Sequence, residues 1–290
     1  QQDYYMSICA LRLFGSEQTF PMIFAFFEKF SEFYIEGDST LKKQPKTFLN
    51  ALENFQFINY KIGENKANKI EKPFARFASD LYKTKNVKEF MIALQGIYEF
   101  LKQEINEKDE FKLKFTKLTY GLKSNETIRY IFYKIENHLN GGQDQNPKIY
   151  EPDITKNKNV KTLPVTIEHW SPNIFRIGGH VTEADFNSYE DVYNEIAQER
   201  HNIGNLMALP AKINNDLLKN KIPIKKHKVL CDQSNLYAHV NVFLDDYDSD
   251  PWDSATIKKR ADEISDICYE KVFTIGNNFP SITNQQLEKY

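Results

Sequence analysis

Glu168 and His169 stand side by side, Asn205 follows, and Asn214 comes nine positions after that (205 to 214). They lie in three short fragments: VTIEHWSP at Val165–Pro172, HNIGNLMALP at His201–Pro210 and INNDLLKNK at Ile213–Lys221. Singly, each fragment has a plain structural reading: a strand end, a turn at Gly204–Asn205, and a helix start at Asn214–Asn215. In order they read as strand, turn, strand and helix, which brings Asn214 back beside His169. A neutral imidazole can take a proton from water, and a hard cation on oxygen ligands can stabilise a leaving oxygen. Those are the requirements of metal-assisted phosphodiester hydrolysis. Neighbours on a regular strand point to opposite faces. Glu168 and His169 therefore share one site only if the strand ends or twists there, and Ser171–Pro172 favours an end.

Carboxylate and amide oxygens without a nearby thiolate suit Mg²⁺, Mn²⁺ or another hard divalent ion better than zinc. His201, His180 and Asn215 are candidates for supporting or substrate-contacting roles, against the plain reading of loop residues facing water. His239 sits in the apolar stretch Leu236–Phe243 and reads as structural. Lys219, Lys221, Lys225, Lys226 and Lys228, with His227 among them, form the densest basic run. Such a run is usually a solvated face, but this one follows the site helix directly, where a phosphate backbone would lie. With no base-reading motif in sight, the expected cleavage has little sequence preference.

The elements that must position these residues fall into two halves. With 290 residues, the chain is long enough for two domains of about 100–200 residues. Apolar residues recur at three- and four-residue steps over Pro21–Tyr34, Ile70–Tyr82, Val87–Leu101 and Thr127–Leu139, each one face of a helix. Pro21 suits a first turn, and Ser124 or Asn125 suits a cap with Glu126 behind it. The alternative for this aromatic stripe, a platform for stacked bases, has no need of helical periodicity. Residues 141–160 hold two glycines, two prolines and a polar Asn/Lys-rich run, the best linker candidate. Beyond them come short apolar runs at Leu163–Ile167 and Leu206–Leu209, helical character over Lys212–Lys221, and an amphipathic helix over Ala255–Phe273. The expected architecture is mainly α with a small α+β domain: a helical domain over 1–145, then a ββα-metal domain over 146–290.

A net charge of −2 gives no global basic field, so any nucleic-acid contact must be local. Cys9, Cys231 and Cys268 are odd in number and far apart, against a disulfide framework or a cysteine-built zinc site. The cytoplasm is the expected compartment. No apolar run approaches the ~18–20 residues of a membrane span, and the stretch at Pro21–Phe27 lacks the flanks of a signal peptide. The chain opens on Gln1 rather than Met and reads as a piece of a longer or processed protein.

The pattern IEHxxP, then IGNLxxLP, then Asn and a Lys-rich tail resembles the C-terminal HNH (His-Me finger) domain of GmrSD- and SspE-like restriction and phage-defence factors. Trp252, Ile257, Arg260 and the last amphipathic helix fit the end of that domain, and the likeness covers roughly 150–275. The helical segment RYIFYKIE at Arg129–Glu136 resembles the middle part of the same proteins. Their N-terminal nucleotide-hydrolysing domain, with its DGQQR-type motif, has no counterpart in this sequence. The resemblance implies a general base at His169, an acidic metal ligand at Glu168 and a metal ligand at Asn214. It gives Asn205 the middle position, which holds the finger loop and orients the histidine. It also implies a DNA endonuclease acting on modified or marked phage DNA, with a sensor or NTPase domain as partner and homo-oligomerisation left open. The stretch from His169 to Asn205 is longer than in compact HNH domains, so residues 173–200 must loop out. The rival readings are a DNA-binding or assembly module with a degenerate site, and an RNA-cutting toxin.

Overall fold

A computed structural model describes residues 2–34, 38–121, 124–142, 164–178, 180–247, 252–275 and 288. The chain divides into two compact units, Gln1–Phe111 with Phe273–Tyr290, and Lys112–Val272. The boundary expected at 145/146 lies in residues 143–163, outside the described residues, as does the linker expected at 141–160 except for Gly141 and Gly142.

The first unit holds α1 (Gln2–Leu13), α2 (Phe20–Phe33), α3 (Ser39–Gln56), α4 (Asn68–Lys83) and α5 (Val87–Gln103). Pro21 opens α2 where its missing N–H costs no hydrogen bond. Asp38 caps α3, accepting from the Thr40 and Leu41 amides, and Asn86 caps α5 through the Glu89 amide at 2.9 Å. The aromatic stripe is core. Phe26, Phe48, Phe74 and Phe90 are fully buried, and the rings of Phe26 and Phe48 stack at 4.2 Å. Burial at about 1.5–3 kcal/mol per large apolar side chain explains why these faces turn inward. α3 carries Pro45 inside it, and this helix was not apparent from the sequence pattern.

The second unit begins at Lys112, inside α6 (Lys108–Phe115), and continues with α7 (Asn125–Leu139). Ser124 takes the N-cap position of α7, though its hydroxyl donates to Thr119 O rather than capping. Strands β1 (Val165–His169) and β2 (Leu206–Pro210) pair antiparallel, from Val165 opposite Pro210 to His169 opposite Leu206. They are the only strands among the described residues. Between them, part of the expected loop is helix α8 (Glu183–Glu195), started by a reciprocal capping box of Thr182 and Asp185. After β2 the chain enters a wide π turn at Ile213–Leu218, then α9 (Pro223–Cys231), α10 (Ala238–Asp246) and α11 (Ser254–Ile267). The described residues are therefore mainly helical with one small sheet.

α7 belongs with the sheet for specific reasons. Arg129 Nη1 donates to Val165 O at 2.8 Å. Glu136 accepts from the Ala238 and His239 amides and from His239 Nδ1, while His239 Nε2 lies 3.1 Å from Ala208 O. His239 is thus structural, as expected, but on a helix. The core under the sheet gathers Trp170, Met207, Leu209, Phe243, Trp252 and Ile257. α11 packs directly on the turn before β2. A Cβ on Gly204 would stand 2.0 Å from Ile257 O, so only glycine admits that approach. Among the described residues no helix is long and apolar enough to cross a membrane.

Candidate functional site

β1 stays regular through His169, still opposite Leu206, so the strand ends too late to turn Glu168 and His169 to one face. The next amide, Trp170 N, donates to Asn205 O at 2.7 Å. Asn205 is completely buried and fully engaged. Its Oδ1 accepts from Ser171 N at 2.8 Å and Trp252 Nε1 at 2.9 Å, and its Nδ2 donates to Arg200 O at 2.7 Å and Ser171 O at 3.2 Å. One carboxamide therefore fixes the end of β1, the turn before β2 and the segment leading to α11. No atom of it is left for chemistry, which makes it a scaffold.

On one face of β1, His169 is buried beneath His201 and Tyr120. Its Nε2 lies 3.0 Å from His201 Nδ1, and its ring meets the Tyr120 ring edge-on at 5.5 Å. The two facing nitrogens share one proton between a donor and an acceptor. Tyr120 is brought there by a segment that bridges to the 201–203 turn: Tyr120 N donates to His201 O at 2.7 Å and Ile203 N to Leu118 O at 2.9 Å. Burial first, then the proximity of His201, Lys226 and Arg200, pushes the His169 pKa down to about 3. The imidazole is therefore neutral at pH 7, the form a general base requires.

The other face carries Thr166 and Glu168, in keeping with strand alternation. Asn214 does not come back beside His169 as expected: in the first turn after β2, it donates its Nδ2 to Thr166 Oγ1 at 2.8 Å, on the opposite face of the strand. That bond orients the carboxamide beside the strand, and among the described residues no donor reaches its Oδ1. Glu168 Oε1 is paired with Lys226 Nζ, which also donates to His169 O at 2.6 Å. Burial lowers the Lys226 pKa against the opposing attraction of Glu168. The turn that swings α9 into this position uses Asn220 at φ +62°, a left-handed conformation that Asn tolerates better than most residues.

The basic run does not act as one surface. Lys226 is wholly buried, so it departs from the expectation of an exposed phosphate contact. Its side chain runs inward from α9 to satisfy a carboxylate and a strand carbonyl. Lys225 pairs with Asp185 at 2.7 Å, and Lys221 Nζ donates to Leu217 O at 2.5 Å. Lys219 and Lys228 are exposed, as are Asn215 and His180. Two further residues escaped the sequence reading. Tyr120 stands far from the motif in sequence. The Arg200 guanidinium stacks on Tyr193 at 3.7 Å, with Nη2 donating to Tyr193 O at 2.7 Å. Arg200 Nε is buried without a hydrogen-bond partner. A basic residue beside the His201 fragment was the only signal available for it. Among the described residues, no three His, Cys, Asp or Glu side chains gather as a metal cluster.

No curated protein matches the chain. A family model does: the C-terminal domain of GmrSD restriction endonucleases matches residues 105–267, more than half of the chain. The match includes α7, both strands and all four residues from which the reading began. This chain belongs to the family of GmrSD restriction endonuclease C-terminal domains.

Proposed function

We propose that the Lys112–Val272 unit is a metal-dependent DNA endonuclease of the HNH, ββα-metal type, serving restriction of modified or marked phage DNA. The observation that carries this is a buried neutral His169 at the end of β1, whose opposite face carries Glu168 next to it and Asn214 bonded to Thr166. On this reading a phosphate lies across the end of β1, with His169 on one side and Glu168 on the other. Family membership supplies the nuclease class.

The donor chemistry fits a hard divalent ion. Glu168 offers carboxylate oxygen, and Asn214 offers an Oδ1 that no protein donor occupies among the described residues. Two protein oxygens suit Mg²⁺, which keeps several waters and accepts phosphate oxygens. Bound there, such an ion supplies charge stabilisation for the leaving oxygen. His169 takes the proton of the attacking water, and His201 holds its ring through Nε2. Arg200 adds a positive charge close enough to act on His169, which favours an anionic phosphate there. The exposed Lys219 and Lys228 attract the DNA backbone.

The test is nicking of supercoiled plasmid and of base-modified phage DNA with Mg²⁺ or Mn²⁺. Wild type should cut, with chelation abolishing the activity, and His169→Ala should lose at least about a hundredfold. Equal cutting by His169→Ala overturns the site, and cleavage of RNA alone overturns the substrate. DNA binding without any cutting by wild type overturns the activity.

A further inference from the structure

The one fully buried lysine of the basic run points at the centre of the site. Lys226 shows no exposed surface, and its ammonium is held by Glu168 Oε1 and by the carbonyl of His169. A buried ammonium persists only where such partners compensate its lost hydration. Its charged partner is Glu168, the proposed metal ligand.

We infer that Lys226 is a built-in cation that neutralises Glu168 before metal arrives, so that a divalent ion binds this site against it. This inference rests on the reading of Glu168 as a metal ligand. Two effects of the ammonium oppose each other. It restricts the Glu168 rotamer, which favours metal binding, and it repels a double positive charge at close range in a partly dehydrated site, which disfavours it. Coulomb repulsion in a poorly screened site exceeds the entropy of one glutamate side chain. Removing the charge therefore tightens metal binding. The arrangement also keeps Glu168 from standing as an uncompensated half-buried charge when no ion is bound, and the bond to His169 O anchors the tip of β1 in both states.

The experiment measures Mn²⁺ affinity directly, by electron paramagnetic resonance and calorimetry, on the full chain without DNA. Lys226→Met should bind Mn²⁺ at least about tenfold more tightly than wild type, and Glu168→Gln should weaken binding in either background. Unchanged or weaker binding by a folded Lys226→Met overturns the inference. If Glu168→Gln binds Mn²⁺ as wild type does, the metal-ligand reading itself fails, whatever Lys226→Met shows. Should Lys226→Met not fold, the wild-type Lys226 ammonium is followed by ¹⁵N NMR during Mg²⁺ titration. A resonance that moves with the metal-binding isotherm supports the inference, and one that stays fixed at saturating Mg²⁺ overturns it.

Discussion

On one face of β1, His169 is enclosed by Tyr120 and His201 and held neutral by burial. On the other, Glu168 and Thr166 meet a lysine and an asparagine, so charge is present and balanced there. The same five-residue strand thus presents one buried side with a neutral imidazole and another, partly buried side where a carboxylate and an ammonium balance each other. The difference follows from what packs on each. The first face is covered by turns that satisfy their own backbone groups, and the second by helical turns that aim polar side chains at the strand. Under the proposed mechanism adjacent residues take separate roles, because alternation separates their environments.

The largest effect should come from breaking the two faces separately. His169→Ala and Glu168→Gln are each expected to reduce nicking at least about a hundredfold. Only Glu168→Gln should raise the Mn²⁺ concentration needed for half-maximal rate, and a shared metal dependence would erase the distinction between the faces. Asn205→Ala should disturb both at once. It leaves the Ser171 and Trp252 N–H groups and two carbonyls without partners, for a loss of about 2–3 kcal/mol in denaturant unfolding.

Glu136 tests the support beneath the sheet. Burial pushes its pKa up, but bonds from His239 and from the Ala238 and His239 amides prevail and bring it from the ordinary 4.5 down to about 2. A depressed carboxylate stabilises the fold above its unfolded pKa and loses that contribution as pH falls through the folded value. Glu136→Gln should therefore cost about 2 kcal/mol at neutral pH. The gap to wild type should narrow between about pH 4.5 and pH 2, as urea unfolding across that range will show.

Smaller effects sharpen the picture. His201→Ala should lower kcat about tenfold with KM little changed, because it frees the His169 ring without touching the other face. His201→Asn, which keeps a polar atom near the position of Nδ1, should recover part of the loss. Lys219→Gln with Lys228→Gln should weaken DNA binding only a few-fold and reduce the salt slope by about two at most. A larger change would mean that these two lysines do more than attract backbone.

Much of this was legible in one dimension because it depends on local spacing. Apolar residues at three- and four-residue steps predict α2, α4, α5 and α7, since a helix face must be buried. The fragments around Glu168, His169, Asn205 and Asn214 predict a strand, a turn, a second strand and a helical segment in that order, and the family resemblance rests on the same positions. Helices that were not legible include α3, whose buried Leu41, Phe48, Leu52 and Phe55 recur at helical spacing but around an internal Pro45, and α8, with a weaker pattern inside an expected loop. A proline reads as a helix breaker, and a mixed face like that of α8 leaves its state to the core it meets.

Only the tertiary structure decided which side of β1 each polar residue serves. Lys226 looked like its neighbours Lys225 and Lys228, yet it is buried on Glu168, because the turn at Asn220 aims one face of α9 at the strand. Tyr120 and Arg200 reach the histidines through pairings made by distant segments. α7 joins the sheet through Arg129, Glu136 and His239. Sequence determines which local elements can form and which side chains carry chemistry. Long-range packing determines which charges find partners, and through that which groups are left free to react.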